Sequence, residues 1–264
     1  MKKLFLSVIF FLLLVPDNAF SEKENRKKTI VAGTAHVQVI VKEIAGENAD
    51  VFCPLEPGMC PGHFDVKAKD LSFLHGADVI IRQGFERWID GVRNIINEKQ
   101  IKEVVISPGG NWMIPENHIL ASENIKQTLC LIDPDNASVY EKNFSAYIKM
   151  IKKEASSAQK LKGVAVICSD MQQAFLEWLG CLVIASYGRP NEMTSSQMIE
   201  IIKKGKNKKV NLVVDNLQSG PDAGKIIAEE LGARHVTLTN FPLAGSYIDS
   251  FKDNISQIQK ELEK

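Results

Sequence analysis

Short runs of β-branched residues alternate along this chain with amphipathic helical stretches, and the alternation occurs in two blocks. The strand-like runs of the first block are Thr29–Ala32, Val79–Ile81 and Val104–Ile106, with a weaker one near Val51. Those of the second block are Val164–Ile167, Leu182–Ala185, Leu212–Val214 and His235–Leu238. Such alternation is typical of parallel sheets covered by helices. It predicts an α/β fold with two lobes, each a four-stranded, mainly parallel sheet flanked by helices.

A long helix is predicted between the two blocks, from about residue 137 to residue 160. Its apolar stripe recurs at spacings of three and four residues, as a helix requires, through Tyr140, Phe144, Tyr147, Ile148 and Ile151. At about 1.5 Å per residue it is roughly 35 Å long, too long to pack within one small lobe. We therefore expect an N-terminal lobe over residues 22–136, a rigid linking helix over 137–160 and a C-terminal lobe over 161–264.

The first 21 residues have the pattern of a secretory signal peptide. Lys2 and Lys3 precede an apolar run over Leu4–Val15, and small residues flank Phe20 in Ala19-Phe20-Ser21. The run is about twelve residues, whereas a membrane span needs roughly twenty. We expect cleavage near Ser21. Because no cysteine stands at the cleavage site for lipid attachment, the pattern indicates a soluble periplasmic protein.

The net charge bears on the binding partner of the protein, and the cysteine content bears on its disulfides. Lysine plus arginine and aspartate plus glutamate each total 32, so no basic excess indicates nucleic acid. Five cysteines all follow the signal segment, and an exported protein is permitted disulfides. The odd number leaves at least one thiol over, and Cys53 and Cys60 are close enough in sequence to bridge a loop.

Ligands of α/β folds bind at the carboxyl ends of parallel strands and between domains. A cleft between the two lobes is therefore predicted to be lined by the segments that follow the strands. These are Gly33–His36, Cys60–His63, Ser107–Asn111, Cys168–Met171, Asp215–Gln218 and Thr239–Leu243.

Several motifs occur in a characteristic order along the chain. They are Pro57-Gly58-Met59-Cys60-Pro61-Gly62, Glu86-Arg87-Trp88, Trp112-Met113-Ile114-Pro115-Glu116-Asn117 and Asp133-Pro134-Asp135-Asn136. Together they resemble the periplasmic metal-ion solute-binding proteins, of the zinc/manganese type, that serve ABC importers. The resemblance covers nearly the whole chain after the signal segment. It implies two lobes, a rigid linking helix, a metal held between the lobes and a membrane permease as partner.

The positions at which that family holds its metal carry unusual residues here. Family members use three His, or His and Glu, together with one Asp. Carried over onto this sequence, the three histidine positions fall on Gly62, Gly110 and Ser169, and the aspartate position falls on Asn240. None of these is a usual ligand for a transition metal.

One interpretation is that neighbouring side chains rebuild the metal site. Cys60 and His63 flank Gly62, Cys168 precedes Ser169, and His36 follows the first strand. Thiolate and imidazole suit zinc, or a softer ion such as Cu(I). This interpretation predicts zinc as cargo, with manganese or copper as alternatives, held by Cys60, His63, Cys168 and His36.

Another interpretation is that small residues make room for a larger solute, such as a chelated metal. Gly62 and Gly110 let the backbone approach the solute, and polar or aromatic neighbours then line the cleft. The cleft-lining candidates are Gly62, Gly110, Asn111, Trp112, Ser169, Asp170, Gln172, Asp215 and Asn240. The absence of any bound solute is a third possibility.

An enzyme is not expected, although Cys168 and His63 could be drawn as a thiol dyad. The sequence contains neither a Gly-x-Ser-x-Gly elbow nor a His-Glu-x-x-His motif. A surface or adhesive role without transport is the remaining class. We expect a monomer that captures its solute between the lobes and delivers it to the permease.

Overall fold

The structure is a computed structural model, and it describes residues 26–67, 71–106, 109–158, 161–220, 222–243 and 245–264. The predicted signal peptide lies outside these ranges. All eight predicted strands are present in them. None of the helices in the described ranges is long and apolar enough to cross a membrane.

The N-terminal sheet is wholly parallel, with the strand order β2-β1-β3-β4. Its strands are β1 Lys28–Ala32, β2 Ala49–Phe52, β3 Val79–Arg82 and β4 Lys102–Val105. The helices of this part are α1 Ala35–Ala45, α2 Ser72–His75, α3 Trp88–Gly91, α4 Arg93–Lys99 and α5 Pro115–Ile132. The order reverses direction between β1 and β3, so the crevice expected of such a fold opens at their carboxyl ends.

A long helix, α6, covers Ala137–Ser157 and follows the N-terminal part directly. It packs on α1 and α5, and Asn143 fixes it to α1 by donating a hydrogen bond from Nδ2 to the Ile44 carbonyl oxygen at 3.0 Å. Tyr140, Tyr147, Ile148 and Ile151 form its buried stripe. The helix predicted from spacing is confirmed, with its described end three residues before the predicted one.

The C-terminal sheet repeats the same topology, in the order β6-β5-β7-β8. Its strands are β5 Ala165–Ser169, β6 Leu182–Tyr187, β7 Leu212–Asn216 and β8 Arg234–Leu238. The helices around it are α7 Asp170–Leu179, α8 Ser195–Lys208, α9 Asp222–Leu231 and α10 Tyr247–Glu263. Three of these strands, β5, β6 and β7, end two residues later than the sequence pattern predicts.

The two lobes share one hydrophobic core that runs through α6. This core joins Ile40 of α1, Tyr147 of α6, Phe175 of α7 and Tyr247 of α10 in one continuous cluster. Because interiors pack at nearly crystalline density, a shared core resists large independent movements of its parts. The fold therefore sets the two sheets facing one another with little freedom to separate.

Candidate solute-binding cleft

A cleft of about 440 Å³ lies at the carboxyl ends of both sheets, between the lobes. The N-terminal lobe lines it with His36, Cys60, Pro61, Gly62, Gln83, Phe85, Gly110, Asn111 and Trp112. The C-terminal lobe contributes Asp170, Met171, Ala174, Arg189, Asn216, Gln218, Ser219, Asn240 and Phe241. The cleft is thus where the strand order of both sheets predicts a binding site.

Hydrogen bonds cross the cleft from one lobe to the other. Asn111 donates from Nδ2 to the Met171 carbonyl oxygen at 3.0 Å. Beside the cleft, the Tyr247 hydroxyl donates to the Met113 carbonyl oxygen at 3.0 Å. These bonds connect the two lobes at the cleft.

His36 forms part of the deep wall of the cleft, at the N-terminus of α1. It is 1% exposed and is surrounded by the rings of Trp112, His118, Phe241 and Tyr247. Burial lowers the pKa of His36 to about 3, so the imidazole is neutral.

The tautomer of His36 follows from its single partner. Nε2 lies 3.1 Å from the Asn240 carbonyl oxygen, which accepts hydrogen bonds only, so Nε2 carries the proton. Nδ1 then bears a lone pair, and it has no hydrogen-bond partner among the described residues. This arrangement leaves a buried acceptor in the wall of the cleft that no described group satisfies.

Cys60 lies at the meeting point of an imidazole and a guanidinium group. Its Sγ is 3.5 Å from His63 Nδ1, and Arg189 of the other lobe donates from Nη2 to the same sulfur at 3.1 Å. His63 is exposed and does not line the cleft; it lines a separate depression together with Glu56 and Met59. All five cysteines fall within the described ranges and are free thiols, so the Cys53–Cys60 bridge considered from spacing is not formed.

The separation of Cys60 and His63 matches the geometry of a metal site. At the tetrahedral angle, a Zn–S bond of about 2.3 Å and a Zn–N bond of about 2.0 Å place sulfur and nitrogen about 3.5 Å apart. The observed distance between Sγ and Nδ1 is 3.5 Å. The two side chains could therefore share one tetrahedral ion with little rearrangement.

Cys168 lies in the hydrophobic core and not at the cleft, which differs from the expectation. The strand does not end at Ile167 but continues through Ser169, and Cys168 pairs in register with Ser186 on one side and Val214 on the other. The thiol is fully buried, and burial raises its pKa well above the usual range. A buried neutral thiol is a poor metal ligand and a poor nucleophile.

Three of the four positions onto which the resemblance carries the family's metal ligands line the cleft, namely Gly62, Gly110 and Asn240. Gly110 has φ 89°, a left-handed conformation that favours glycine. A side chain at Gly62 would meet only the Cys60 sulfur, at 3.8 Å from its Cβ, so the space around it is open. The fourth position, Ser169, is 3% exposed at the end of β5 and lies just behind the cleft wall.

Asp215 is a further predicted cleft residue that the structure places away from the cleft, as it does Gln172. It lies inside β7, fully buried, where it accepts hydrogen bonds from the Tyr187 hydroxyl at 2.6 Å and from His235 Nε2 at 2.6 Å. Its carboxylate packs against Gly224 of α9. His235, expected to be a surface or packing residue, is thus the hydrogen-bond partner of a buried carboxylate. The two residues are twenty positions apart, so the sequence alone gave no sign that they pair.

Asn111, Trp112 and Asp170 line the cleft as predicted, whereas Arg189 and Phe85 were missed. Arg189 follows β6, whose carboxyl end was not included among the predicted cleft segments. The sequence Tyr187-Gly188-Arg189-Pro190, with its glycine and proline, indicates a turn after a strand and could have placed Arg189 at the carboxyl end of β6.

The four predicted metal ligands are not gathered into one cluster. Within the ranges that the structure describes, no group of three or more His, Cys, Asp or Glu side chains could hold a metal ion. Cys60 and His63 are a pair, His36 stands in the deep wall, and Cys168 is in the core. Of the four predicted ligands, only Cys60 and His63 contact one another, beside the larger cavity.

Comparison with known proteins identifies the family. The model of the family described as "ZnuA: Zinc-uptake complex component A periplasmic" matches residues 30–261. This chain belongs to that family. The expected resemblance to metal-ion binding proteins of ABC importers is confirmed.

Relatives and solved structures agree with this membership. The "Iron ABC transporter substrate-binding lipoprotein MtsA" of Streptococcus pyogenes serotype M1 is 25% identical over 305 residues, covering 98% of this chain and 96% of the relative. The "Manganese ABC transporter substrate-binding lipoprotein PsaA" of Streptococcus pneumoniae is 24% identical over 60% of this chain and 58% of its own. The Mn-bound periplasmic metal binding protein from Candidatus Liberibacter asiaticus is similar in fold, with a TM-score of 0.76 and 21% identity over 89% of this chain and 100% of that one.

Proposed function

We propose that this protein is the extracytoplasmic solute-binding component of an ABC importer and that it captures a transition metal between its lobes. Membership of the zinc-uptake family supports this role, as do relatives whose names specify iron or manganese. The observation that carries the proposal for this chain is the Cys60–His63 pair, which stands at tetrahedral separation beside the inter-lobe cleft. Zinc is the cargo we propose, with manganese and copper as alternatives, because thiolate and imidazole together suit zinc.

Arg189 prepares Cys60 for this role. Its guanidinium donates a hydrogen bond from Nη2 to the sulfur at 3.1 Å and so fixes the position of the sulfur. Hydrogen bonds from outside the coordination shell also orient a ligand. Because Arg189 belongs to the C-terminal lobe, closure of the lobes and formation of the metal site are linked.

Of the four predicted ligands, Cys60 and His63 are the pair we retain. His36 forms part of the cleft wall, with the lone pair on its Nδ1, and Cys168 packs in the hydrophobic core. The protein acts as a carrier and not as an enzyme, in the periplasm, as a monomer cleaved near Ser21. The shared core through α6 keeps lobe movement small while the closed form docks on the permease.

Native mass spectrometry of the protein, stripped of metal and then reloaded, tests the pair. We expect one zinc per chain in the wild type and loss of that zinc in Cys60→Ser and His63→Ala. Cys130→Ser is the matched control, because this half-buried thiol lies on α5 and is not part of the cleft lining. Equal zinc retention in Cys60→Ser and in the wild type would overturn the assignment.

A further inference from the structure

We propose that the metal enters the cleft as a complex with a small organic chelator that carries a carboxylate. The chelator fills the inter-lobe cavity while Cys60 and His63 reach the metal at its edge. This inference rests on the function proposed above and concerns the chemical form of the cargo.

The first argument is the shortage of protein ligands. A closed zinc site has four, and the chain offers two side chains at tetrahedral separation. In the residues that the structure describes, no third His, Cys, Asp or Glu joins them to form a metal-binding group. The remaining donors must arrive with the cargo, and a chelator supplies several at once.

The second argument is space. The cleft measures about 440 Å³, whereas a water molecule occupies about 30 Å³ in the liquid and an ion less still. Pockets of roughly 300–1,000 Å³ take small organic molecules. The lack of a side chain at Gly62 keeps this space open, and Phe85, Trp112 and Phe241 offer apolar surface for a carbon skeleton.

The third argument is charge. Arg189 is half-buried in the cleft lining, which places a positive charge beside the cavity, opposite in sign to the Asp170 carboxylate of the same lining. Within the described ranges Arg189 forms no ion pair, and its hydrogen-bond acceptor is the Cys60 sulfur. A guanidinium group offers five donors in a planar fork that suits a carboxylate. A carboxylate on the chelator would pair with the remaining donors.

The fourth argument is a set of unmatched acceptors. His36 Nδ1 and Asn240 Oδ1 belong to residues that line the cleft, and both atoms are buried without a hydrogen-bond partner among the described residues. Buried polar atoms in native proteins are nearly always satisfied. A solute that carries N–H or O–H groups would satisfy them once the side chains that cover the two atoms shift aside. Together these groups select an aminocarboxylate or a hydroxycarboxylate that leaves open coordination positions on its metal.

The probes for this inference are zinc alone and zinc complexed with iminodiacetate, citrate or histidine. Native mass spectrometry and titration calorimetry are run on the wild type, on Arg189→Gln and on Arg87→Gln, an exposed arginine outside the cleft lining. We expect at least one ternary complex to be retained intact and to bind at least tenfold more tightly than zinc alone. Arg189→Gln should lose that advantage at least tenfold, and Arg87→Gln should keep it.

The outcomes separate this inference from the proposed function. If zinc alone binds as tightly as every complex, the inference is overturned while the metal-carrier function stands. If neither zinc nor any complex binds, or if a chelator binds equally well without metal, the proposed function itself is overturned.

Discussion

Burial of His36 should make the stability of this protein depend on pH in a way that one substitution removes. The pKa of a histidine in the unfolded chain is about 6.5, and burial lowers that of His36 to about 3 in the folded protein. At pH values between these two pKa values, His36 is protonated in the unfolded chain but neutral in the folded protein. The free energy of unfolding therefore falls as pH drops through this window.

The magnitude follows from the size of the shift. Each pKa unit corresponds to about 1.4 kcal/mol, so the full effect of His36 approaches 5 kcal/mol between pH 6.5 and pH 3. Within the window the slope contributed by one histidine is about 1.4 kcal/mol per pH unit. The pKa of His118, which contacts His36, is lowered in the same direction by burial and adds to the acid sensitivity.

The assay is urea unfolding of the wild type and of His36→Gln at pH 7, 6, 5 and 4, followed by the fluorescence of the buried Trp88 and Trp112. Glutamine keeps a donor for the Asn240 carbonyl oxygen but does not titrate. We expect the slope of unfolding free energy against pH to fall by about 1.4 kcal/mol per unit in this variant.

The control for this experiment is Gln38→Ala on the same helix, a change from one neutral side chain to another. It should keep the wild-type slope whatever it does to total stability. An unchanged slope in His36→Gln would refute the reasoning, because it would mean that His36 is protonated in the folded protein.

Other predictions concern the packing around the sites and use the same unfolding assay. Gly224→Ala should destabilise the fold by about 3 kcal/mol, because its Cβ would collide with the Asp215 carboxylate and the Tyr187 hydroxyl, whereas Gly91→Ala meets nothing within 4 Å and should be nearly neutral. Tyr187→Phe should cost about 2 kcal/mol by removing a 2.6 Å hydrogen bond to a buried carboxylate, and an unchanged stability would show that Asp215 does not need it. Glu86→Gln should lower the free energy of unfolding by about 2 kcal/mol, since the buried carboxylate accepts hydrogen bonds from two backbone N–H groups at 2.7 Å in the loop after β3. A loss of stability no larger than that of a surface variant would count against this role.

The architecture could be read from the sequence because its signals are local. Runs of β-branched residues locate the strands, and the spacing of Tyr140, Tyr147 and Ile151 defines the helix that joins the lobes. Side-chain periodicity reports which face is buried, and chain order then leaves few topologies.

The ends of the strands were harder to predict, and errors there led to errors in the predicted site residues. β5 and β7 each run two residues past their apolar segments, into Cys168-Ser169 and Asp215-Asn216. Ser169, Asp215 and Asn216 are polar and do not extend a hydrophobic pattern, so both strands seemed to end early. Cys168 packs as a small apolar residue and belongs to the pattern, but it was assigned to the segment after the strand. As a result, Cys168 and Asp215 were assigned to the cleft, although they lie inside strands.

Pairings between distant segments left no signal in a single sequence. The contact of Arg189 with Cys60 joins residues 129 positions apart, and that of His36 with Asn240 spans 204. Only packing of the two lobes brings these groups together. The departure from the family's ligand positions, by contrast, was visible at Gly62, Gly110 and Asn240, and all three do line the cleft.

The most direct test of the account is X-ray absorption at the zinc edge of the loaded protein, because it reports the atoms bound to the metal. The account predicts one sulfur at about 2.3 Å, one imidazole nitrogen at about 2.0 Å and further oxygen or nitrogen atoms. The sulfur should disappear in Cys60→Ser. A zinc shell without sulfur in the wild type, or one that Cys60→Ser leaves unchanged, would contradict the claim that Cys60 and His63 hold the metal at the cleft.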